Sequence, residues 1–249
     1  MDDFLKSRVD SYNDMTGSLT GYDCPKCKNK GQIMYIKDGY EYIKECECVN
    51  TREMLMIAEK SGLGDVLKEY TFAKYKHEEE WQQLIYDKAI KFISDAGANC
   101  FYIGGQVGSG KTHICTAVVR EFIKKHVDVQ YVIWNEIATK LKQNIMDNSK
   151  EYDNDVERLK NSTVLYIDDL FKTDPTKADI DKAFQIINYR YNQSKSNQDK
   201  RFVTIISSEK TFEELIQIDE AIASRIMEMS KKEYSLSISK DISKNMRFA

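Results

Sequence analysis

The sequence predicts an α/β protein in which a parallel sheet lies between helices, preceded by a small cysteine-rich module. Three observations predict this class. Short apolar segments alternate with segments of helical periodicity from about residue 66 onward. One of the apolar segments runs directly into a glycine-rich loop that contains a lysine and a threonine. Four of the six cysteines fall close together near the start of the chain.

The composition and net charge limit which classes of function fit the chain. The chain has 249 residues, of which 41% are apolar and 31% charged, as in a globular protein that buries a large core. The net charge of −3 excludes a bulk basic field, so any contact with nucleic acid needs a local patch. The polar first ten residues and the lack of a long apolar run predict a cytoplasmic protein with no membrane partner.

The strands are predicted from short apolar segments, which are typical of parallel strands covered on both faces. Four segments have this character, and a fifth alternates apolar and polar residues: NCFYIGG, VQYVIW, TVLYIDD, FVTIISS and YSLSI. Helical spacing of apolar residues marks the segments around them: HEEEWQQLIYDKAIKFISDAG, THICTAVVREFIKK, IATKLKQNI and DIDKAFQIINYRYNQS. The pattern predicts a sheet with helices on both faces.

The segment GQVGSGKT fits the phosphate-binding pattern G-x-x-x-x-G-K-[ST]. A strand precedes it and an amphipathic helix follows, so backbone N–H groups and the helix dipole can bind phosphate there. Lys111 would reach the β- and γ-phosphates, and the Thr112 hydroxyl would help to hold Mg²⁺. The predicted nucleotide-binding residues are Gly105, Gln106, Val107, Gly108, Ser109, Gly110, Lys111, Thr112 and His113.

Two aspartates follow the apolar residues of VLYIDDL. A buried strand would deliver Asp168 to the carboxyl edge of the sheet, where the glycine loop also lies, and Asp168 would bind Mg²⁺ there. Asp169 would orient or polarise an attacking water. This second acid favours hydrolysis over transfer of phosphate to a substrate, because a small-molecule kinase excludes water. An acidic cap at the end of a strand is the alternative.

The clustered cysteines form two close pairs separated by 18 residues, a spacing that fits a tetrahedral Zn²⁺ site. The predicted ligands are Cys24, Cys27, Cys46 and Cys48. Between the pairs, QIMYIKDGYEYIKE predicts a β-hairpin that turns at Asp38 and Gly39. A zinc-ribbon-like module of this size needs the free energy of metal binding to fold. Unligated thiols and redox-active pairs are the alternatives.

Residues from about 66 to 249 resemble the P-loop ATPases of the AAA+ class that act as replicative helicase loaders of the DnaC and DnaI type, and the related IstB-type ATPases of transposons. Five segments carry the resemblance by their order and spacing: FYIGGQVGSGKTHICTAVV, VLYIDDLF, FQIINYRYNQ, FVTIISSE and AIASRIMEMS. The resemblance implies a Mg²⁺-dependent ATPase whose five-stranded sheet has FVTIISS between the glycine-loop strand and VLYIDD. The expected division is a zinc-binding, partner-binding module over 1–50, a helical linker over 51–65 and an AAA+ ATPase domain over 66–249.

The resemblance also implies catalytic residues besides Asp169. A sensor of the γ-phosphate falls on Ser208 or its neighbour Ser207, followed by Glu209 where related proteins often have asparagine. Arg225 lies in the segment that resembles the arginine finger, which would reach the nucleotide of a neighbouring subunit in an ATP-bound homo-oligomer and neutralise charge on the γ-phosphoryl group.

Two other arginines match the family pattern without a settled role. Arg190 in NYRYNQ has either a structural or a functional role. Arg247 in KNMRF either senses nucleotide or lies in a disordered tail.

Three functions are compatible with these patterns. The first is an ATP-hydrolysing helicase loader that delivers a hexameric replicative helicase, gripped by the zinc module, to single-stranded DNA. Tyr35, Tyr40 and Tyr42 on the hairpin could stack on single-stranded bases, contact a protein or pack the module. The second is an IstB-like transposition ATPase that acts on duplex DNA with a transposase. The third is a nucleotide-switched binding module with negligible turnover.

Overall fold

The structure, a computed structural model, describes residues 2–61, 63–64, 66–147, 149–196 and 201–248. The chain divides into two compact units, residues 1–59 and 60–249. Among the described helices, none combines the length and apolar character that a membrane crossing requires.

The N-terminal unit contains a hairpin, one whole helix and the greater part of a second helix. Its elements are α1 (Asp2–Asp14), β1 (Gln32–Lys37), β2 (Tyr40–Glu45) and α2 (Cys48–Ser61). The hairpin turns at Asp38 and Gly39, as the sequence predicts, with φ angles of 53° and 77°. Both central residues of such a two-residue turn require positive φ, which explains the Asp-Gly pair. The free edge of β1 is covered, because the Asn13 amide exchanges two hydrogen bonds, of 2.9 and 3.0 Å, with the Met34 backbone.

The larger unit alternates helices and strands. Its elements are α3 (Val66–Glu69), α4 (Glu80–Ser94), β3 (Cys100–Gly105), α5 (Lys111–Lys124), β4 (Val129–Ile133), α6 (Trp134–Asp147), α7 (Ser149–Asn161), β5 (Val164–Asp168), α8 (Lys177–Ser196), β6 (Val203–Ser208), α9 (Phe212–Ile218), α10 (Glu220–Met229) and β7 (Ser235–Ile238).

The five strands of this unit form one parallel sheet in the order β4-β5-β6-β3-β7. The order confirms that FVTIISS lies between the glycine-loop strand and VLYIDD. Every residue of β3, β5 and β6 is buried, whereas the edge strands β4 and β7 are partly exposed. Apolar residues of α6, α7, α8 and α10 pack on these strands in one core. The carboxyl ends of β3, β5 and β6 therefore meet at one edge of the sheet.

The sequence analysis predicts neither α1 nor α7. Most positions of α7 are polar, and only Tyr152, Val156 and Leu159 form a narrow apolar stripe that packs on the core. The helix α6 also begins earlier than expected. Trp134 is the last residue of the apolar run VQYVIW, but it is the first residue of the helix and is 2% exposed. An apolar run alone does not separate the end of a strand from the start of a buried helix.

Arg190 is a structural residue at the opposite end of the sheet from the glycine loop. Its side chain is completely buried on α8, and burial lowers its pKa to about 9. Nε donates to the Thr204 hydroxyl at 2.9 Å, and the two terminal nitrogens donate to the carbonyl oxygens of Val203 at 2.7 Å and Ser162 at 2.8 Å. Arg190 thus ties α8 to the beginnings of β5 and β6 through neutral acceptors.

We expect the substitution Arg190→Leu to lower the free energy of unfolding by about 2–5 kcal/mol, because several buried carbonyl oxygens lose their donor. Urea unfolding followed by circular dichroism measures this change. Lys195→Leu on the same helix is the matched control, since its side chain is half exposed, and should change stability by about 0.5 kcal/mol or less. Equal effects of the two substitutions would contradict the tethering role.

Candidate functional site

The glycine-rich loop joins the end of β3 to the start of α5. Gly105 and Gly108 have φ angles of 112° and 74°. A Cβ atom on Gly105 would lie 1.9 Å from the Ile238 carbonyl oxygen, and one on Gly108 would lie 2.0 Å from Oδ1 of Asn245. Both positions therefore favour glycine, because φ is positive and a Cβ atom would clash with its neighbours. Because α5 begins at Lys111, its first N–H groups and the positive end of its dipole face the loop.

The Lys111 ammonium is buried within the loop, with only 7% of the residue exposed. Nζ donates to the carbonyl oxygens of Gly105 at 3.0 Å and Gln106 at 2.6 Å. Burial lowers the pKa of Lys111. The hydrogen-bond acceptors are neutral, and a phosphate oxygen would be a stronger, charged acceptor for the same ammonium.

The carboxylate of Asp168 lies beside the loop and accepts hydrogen bonds from hydroxyl groups of four elements. Thr112 on α5 and Tyr166 on β5 donate to Oδ1 at 3.2 and 2.9 Å, and Tyr131 on β4 donates to Oδ2 at 3.2 Å. Ser207 at the end of β6 also donates to Oδ1. The structure thus brings together Thr112 and Asp168, the two residues predicted to hold Mg²⁺.

The two tyrosines of this group were not predicted from the sequence, although part of the signal is present. Tyr166 precedes Asp168 by two residues on β5, and residues two apart on a strand share a face. Tyr131 is the neighbour of Tyr166 in the register of β4 and β5. The register is a property of strand pairing and cannot be read from the segment VQYVIW.

Asp169 adopts the left-handed region with φ of 56° and its side chain is about one quarter exposed. Its backbone N–H donates to the Ser207 hydroxyl at 3.2 Å. Its carboxylate is paired with Lys172 at 2.8 Å, and the same ammonium lies 3.4 Å from Glu209. Hydrogen bonding to Asp169 raises the pKa of Lys172, so this lysine is charged at neutral pH. Lys172 and Glu209 are further residues that the sequence analysis did not assign to the site.

The two serines at the end of β6 have different partners. Ser208 donates to the Leu170 carbonyl oxygen at 2.6 Å and accepts from the Lys210 N–H at 3.0 Å, so it stabilises the turn after β5. Ser207 contacts Asp168 and Asp169. Successive residues of a strand point to opposite faces, and the structure places Ser207 on the side of the aspartates.

A pocket of about 450 Å³ lies in front of the loop and is lined by residues 107–113 together with Tyr70, Met246 and Arg247. Gly105 and Gln106 line an adjoining depression. The His113 ring stacks on Tyr70, with 4.8 Å between ring centroids, and its Nε2 donates to the Thr71 carbonyl oxygen at 2.9 Å. Burial lowers the pKa of His113, so the ring is neutral at neutral pH. His113 therefore forms a flat wall at one side of the pocket.

Arg247 reaches this pocket through a short segment at the end of the described chain. The Met246 N–H donates to the Gly108 carbonyl oxygen at 3.0 Å, and the Arg247 N–H donates to Oδ1 of Asn245 at 3.1 Å. Asn245 is 7% exposed, which shows that the segment packs against the glycine loop.

Arg225 is bound elsewhere in the unit. On α10, its Nε donates to Oδ1 of Asn188 at 2.7 Å and its Nη1 donates to the Ala221 carbonyl oxygen at 2.8 Å. The guanidinium lies 4.7 Å from the centre of the Phe184 ring. These partners lie on α8 and α10, and the pocket-lining residues do not include Arg225.

The four cysteines predicted as metal ligands converge in the N-terminal unit, where their sulfur atoms lie within 4.8 Å of one another. The Cys24 and Cys46 sulfurs are 3.8 Å apart, and those of Cys27 and Cys48 are 3.4 Å apart. Tetrahedral Zn²⁺ with Zn–S bonds of about 2.3 Å separates its sulfurs by about 3.8 Å, so the set fits zinc. The Gly31 N–H donates to the Cys27 sulfur at 3.3 Å. Cys48 is the first residue of α2, so the helix begins at the metal-binding cluster predicted from the sequence.

The family model described as IstB-like ATP binding protein matches residues 45–233. The chain belongs to the IstB-like ATP-binding protein family. A relative from Bacillus subtilis (strain 168), the phage-like element PBSX protein XkdC, is 30% identical over 222 residues, which cover 84% of this IstB-like chain and 79% of XkdC. The uncharacterized protein YqaM of the same strain is 31% identical over 204 residues, which cover 76% of the chain and 62% of YqaM.

Solved structures share the fold of the larger unit. The DnaC helicase loader has a TM-score of 0.53 and 20% identity, covering 71% of the IstB-like chain and 98% of DnaC. DnaI has a TM-score of 0.54 and 20% identity, and the match covers 70% of the IstB-like chain and 92% of DnaI. AMPPCP-bound DnaA from Aquifex aeolicus has a TM-score of 0.54 and 22% identity, covering 72% of the chain but about half (52%) of DnaA. The family match confirms an IstB-like ATP-binding protein, and the solved structures confirm its fold.

We expect Lys111→Ala to weaken ATP binding by about 100-fold or more, because contacts of roughly 1.5–3 kcal/mol each between the ammonium and phosphate oxygens are lost. Isothermal calorimetry with ATP and Mg²⁺ measures the affinity. Lys124→Ala at the other end of α5 is the matched control and should bind ATP as the wild type does. Unchanged affinity in Lys111→Ala would refute the site.

We expect Cys46→Ser to reduce bound zinc from about one ion per chain to nearly none, since three thiolates hold Zn²⁺ more weakly than four. Elemental analysis of protein purified without chelator measures the metal, and calorimetry checks that ATP affinity changes by less than about twofold. Cys115→Ser is the control, because Cys115 is a buried thiol on α5 outside the cluster. A wild-type protein free of zinc would contradict the assignment.

Proposed function

We propose that this IstB-like protein is an ATP-hydrolysing helicase loader, which delivers a hexameric replicative helicase to single-stranded DNA in the cytoplasm. The observation that carries the proposal is the extent of the match to loaders. The shared fold spans nearly the whole of the DnaC helicase loader and of DnaI, but about half of DnaA. The four-cysteine unit is compact by itself, and in this proposal it contacts the helicase.

In this proposal the loop backbone and Lys111 hold the β- and γ-phosphates of ATP in the pocket before α5. Thr112 and Asp168 hold Mg²⁺, which supplies positive charge against the phosphate oxygens. Ser207 contacts the carboxylate of Asp168 and the backbone of Asp169, which supports Ser207 as the sensor of the γ-phosphate.

Asp169 is the proposed residue that polarises the attacking water. In the structure its carboxylate is held by Lys172 at 2.8 Å. An arriving γ-phosphate carries more negative charge than a carboxylate and competes for the same ammonium. If the Lys172 ammonium left Asp169 and bound the phosphate, the Asp169 carboxylate would be free to accept a proton from water.

Arg225 completes the site in trans in this proposal. Its guanidinium is held by Asn188 on α8, on a helix pair distinct from the residues that line the pocket of the same chain. A guanidinium supplied by a neighbouring subunit neutralises charge that develops on the γ-phosphoryl group. Hydrolysis would then depend on assembly of a homo-oligomer around ATP.

A transposition ATPase is the second candidate, and the family match favours it because the matching model describes IstB-like proteins. Such a protein would use the same ATP site, but its partner would be a transposase on duplex DNA. The two candidates therefore differ in the captured protein and in the form of DNA.

The deciding experiment immobilises the full chain with ATP and Mg²⁺ and offers it the replicative helicase with single-stranded DNA, or a transposase with duplex DNA. Capture of a hexameric helicase and its transfer to the single strand are expected. Asp169→Asn should bind ATP and the helicase but fail to hydrolyse. Capture of the transposase alone supports the second candidate, and equal inactivity of wild type and Asp169→Asn with every partner present supports a switch without turnover.

We expect Arg225→Ala to lower the ATPase rate by about 10³-fold while ATP affinity stays within about twofold, because the arginine acts on the transition state of a neighbour. Mixing Arg225→Ala with Asp169→Asn should restore part of the activity, since the second subunit retains Arg225. A titration of one variant against the other by phosphate release measures the recovery. No recovery at any ratio would contradict action in trans.

A further inference from the structure

The register of the N-terminal hairpin sorts its side chains onto two chemically different faces. Directly opposed residues share a face, and the pairs Tyr35–Tyr42 and Lys37–Tyr40 lie on the same face as Lys44. We name these five residues the tyrosine face. At its base, Ile33 is the partner of Lys44 and packs against the cysteine cluster.

The opposite face has another composition. It carries Met34, Ile36, Glu41 and Ile43, which alternate with the tyrosine face along the two strands. Glu41 pairs with Arg8 of α1 at 3.2 Å, so α1 contacts this side of the hairpin. Within the strands, Lys37 and Lys44 thus lie on the tyrosine face, whereas Glu41, which forms an ion pair with Arg8, lies on the opposite face.

The tyrosine face offers exposed rings next to free positive charge. Tyr40 is 70% exposed and Tyr42 is 44% exposed. The rings of Tyr35 and Tyr42 stack with centroids 5.8 Å apart, and the Lys44 ammonium lies 5.5 Å from the Tyr35 ring. Among the residues that the structure describes, neither Lys37 nor Lys44 forms an ion pair with a carboxylate. Exposed rings grouped on one face mark an interaction surface, and the neighbouring ammonium groups favour a ligand with negative charge.

We propose that the tyrosine face binds single-stranded DNA, whose bases stack on Tyr40 and Tyr42 while Lys37 and Lys44 contact the phosphates. Stacking on aromatic rings and basic side chains along the backbone are the two components of sequence-independent single-strand binding. Paired bases are stacked on one another, so duplex DNA cannot use the rings in this way. The chain has a net charge of −3, so the positive charge that contacts the phosphates would come from Lys37 and Lys44 of this face.

The inference takes its single-stranded partner from the proposed function, and it assigns to the zinc-binding unit a contact with DNA in addition to one with the helicase. Because Ile33 joins the hairpin to the cysteine cluster, the metal would also hold this face in shape. Loss of zinc should therefore weaken binding to the single strand while ATP binding persists.

The test uses the full chain without nucleotide and a fluorescent oligo-dT strand, with affinity measured by anisotropy. Tyr40→Ala and Tyr42→Ala should each weaken binding at least about fivefold, which corresponds to about 1 kcal/mol of lost stacking. Tyr40→Phe should bind as the wild type does, because its ring remains. Lys37→Gln should reduce the salt dependence of the affinity by about one phosphate contact.

Ile43→Ala is the matched control, since Ile43 is 53% exposed on the opposite face of the same strand. Each variant is checked for bound zinc, so a misfolded module is recognised. A second measurement replaces thymine by 5-iodouracil and maps photocrosslinks by mass spectrometry, and crosslinks at Tyr40 or Tyr42 are expected.

Four results would overturn the inference. Equal affinity of wild type, Tyr40→Ala and Tyr42→Ala would do so, as would crosslinks confined to residues 60–249. Loss of helicase capture in the tyrosine variants with unchanged DNA affinity would show that the face binds protein. A wild type that binds no single strand also rejects the inference, whereas the proposed function is then judged separately by helicase capture and ATPase activity.

Discussion

A single buried carboxylate organises the nucleotide site. Asp168 is 5% exposed and accepts hydrogen bonds from hydroxyls on α5, β4, β5 and β6. A buried charge is tolerated only where donors satisfy it, so these hydroxyls must converge at the end of β5. The carboxylate therefore fixes the relative position of the loop helix and three strands. The same arrangement leaves Thr112 and Asp168 in contact, and these two side chains would hold the divalent cation of the proposed ATPase.

The two units are stabilised by different interactions. The larger unit buries all residues of three adjacent strands and ties α8 to them through the completely buried guanidinium of Arg190. The smaller unit has four cysteines and Ile33 as its central cluster, too few apolar groups to balance the loss of chain entropy. Zn²⁺ bound by the four convergent sulfurs would supply the missing interaction.

Two charged residues of the proposed mechanism are engaged with partners within the chain. Lys172 holds Asp169 and approaches Glu209 beside the pocket, so the proposed catalytic carboxylate is already engaged. Arg225 is engaged with Asn188 on α8. Both groups must exchange these partners to act in hydrolysis. In the proposed loader, turnover would thereby depend on the nucleotide and on a neighbouring subunit.

The sequence alone determined the class of fold, the phosphate loop, the aspartate after the strand and the convergent cysteines, because each follows from the spacing of neighbouring residues. The tertiary structure decided that Ser207 meets Asp168, that Tyr131 joins it and that Arg190 is structural. These outcomes depend on strand register and on packing between segments far apart in the chain. Local spacing sets which side chains share a face, but only the folded chain sets what that face meets.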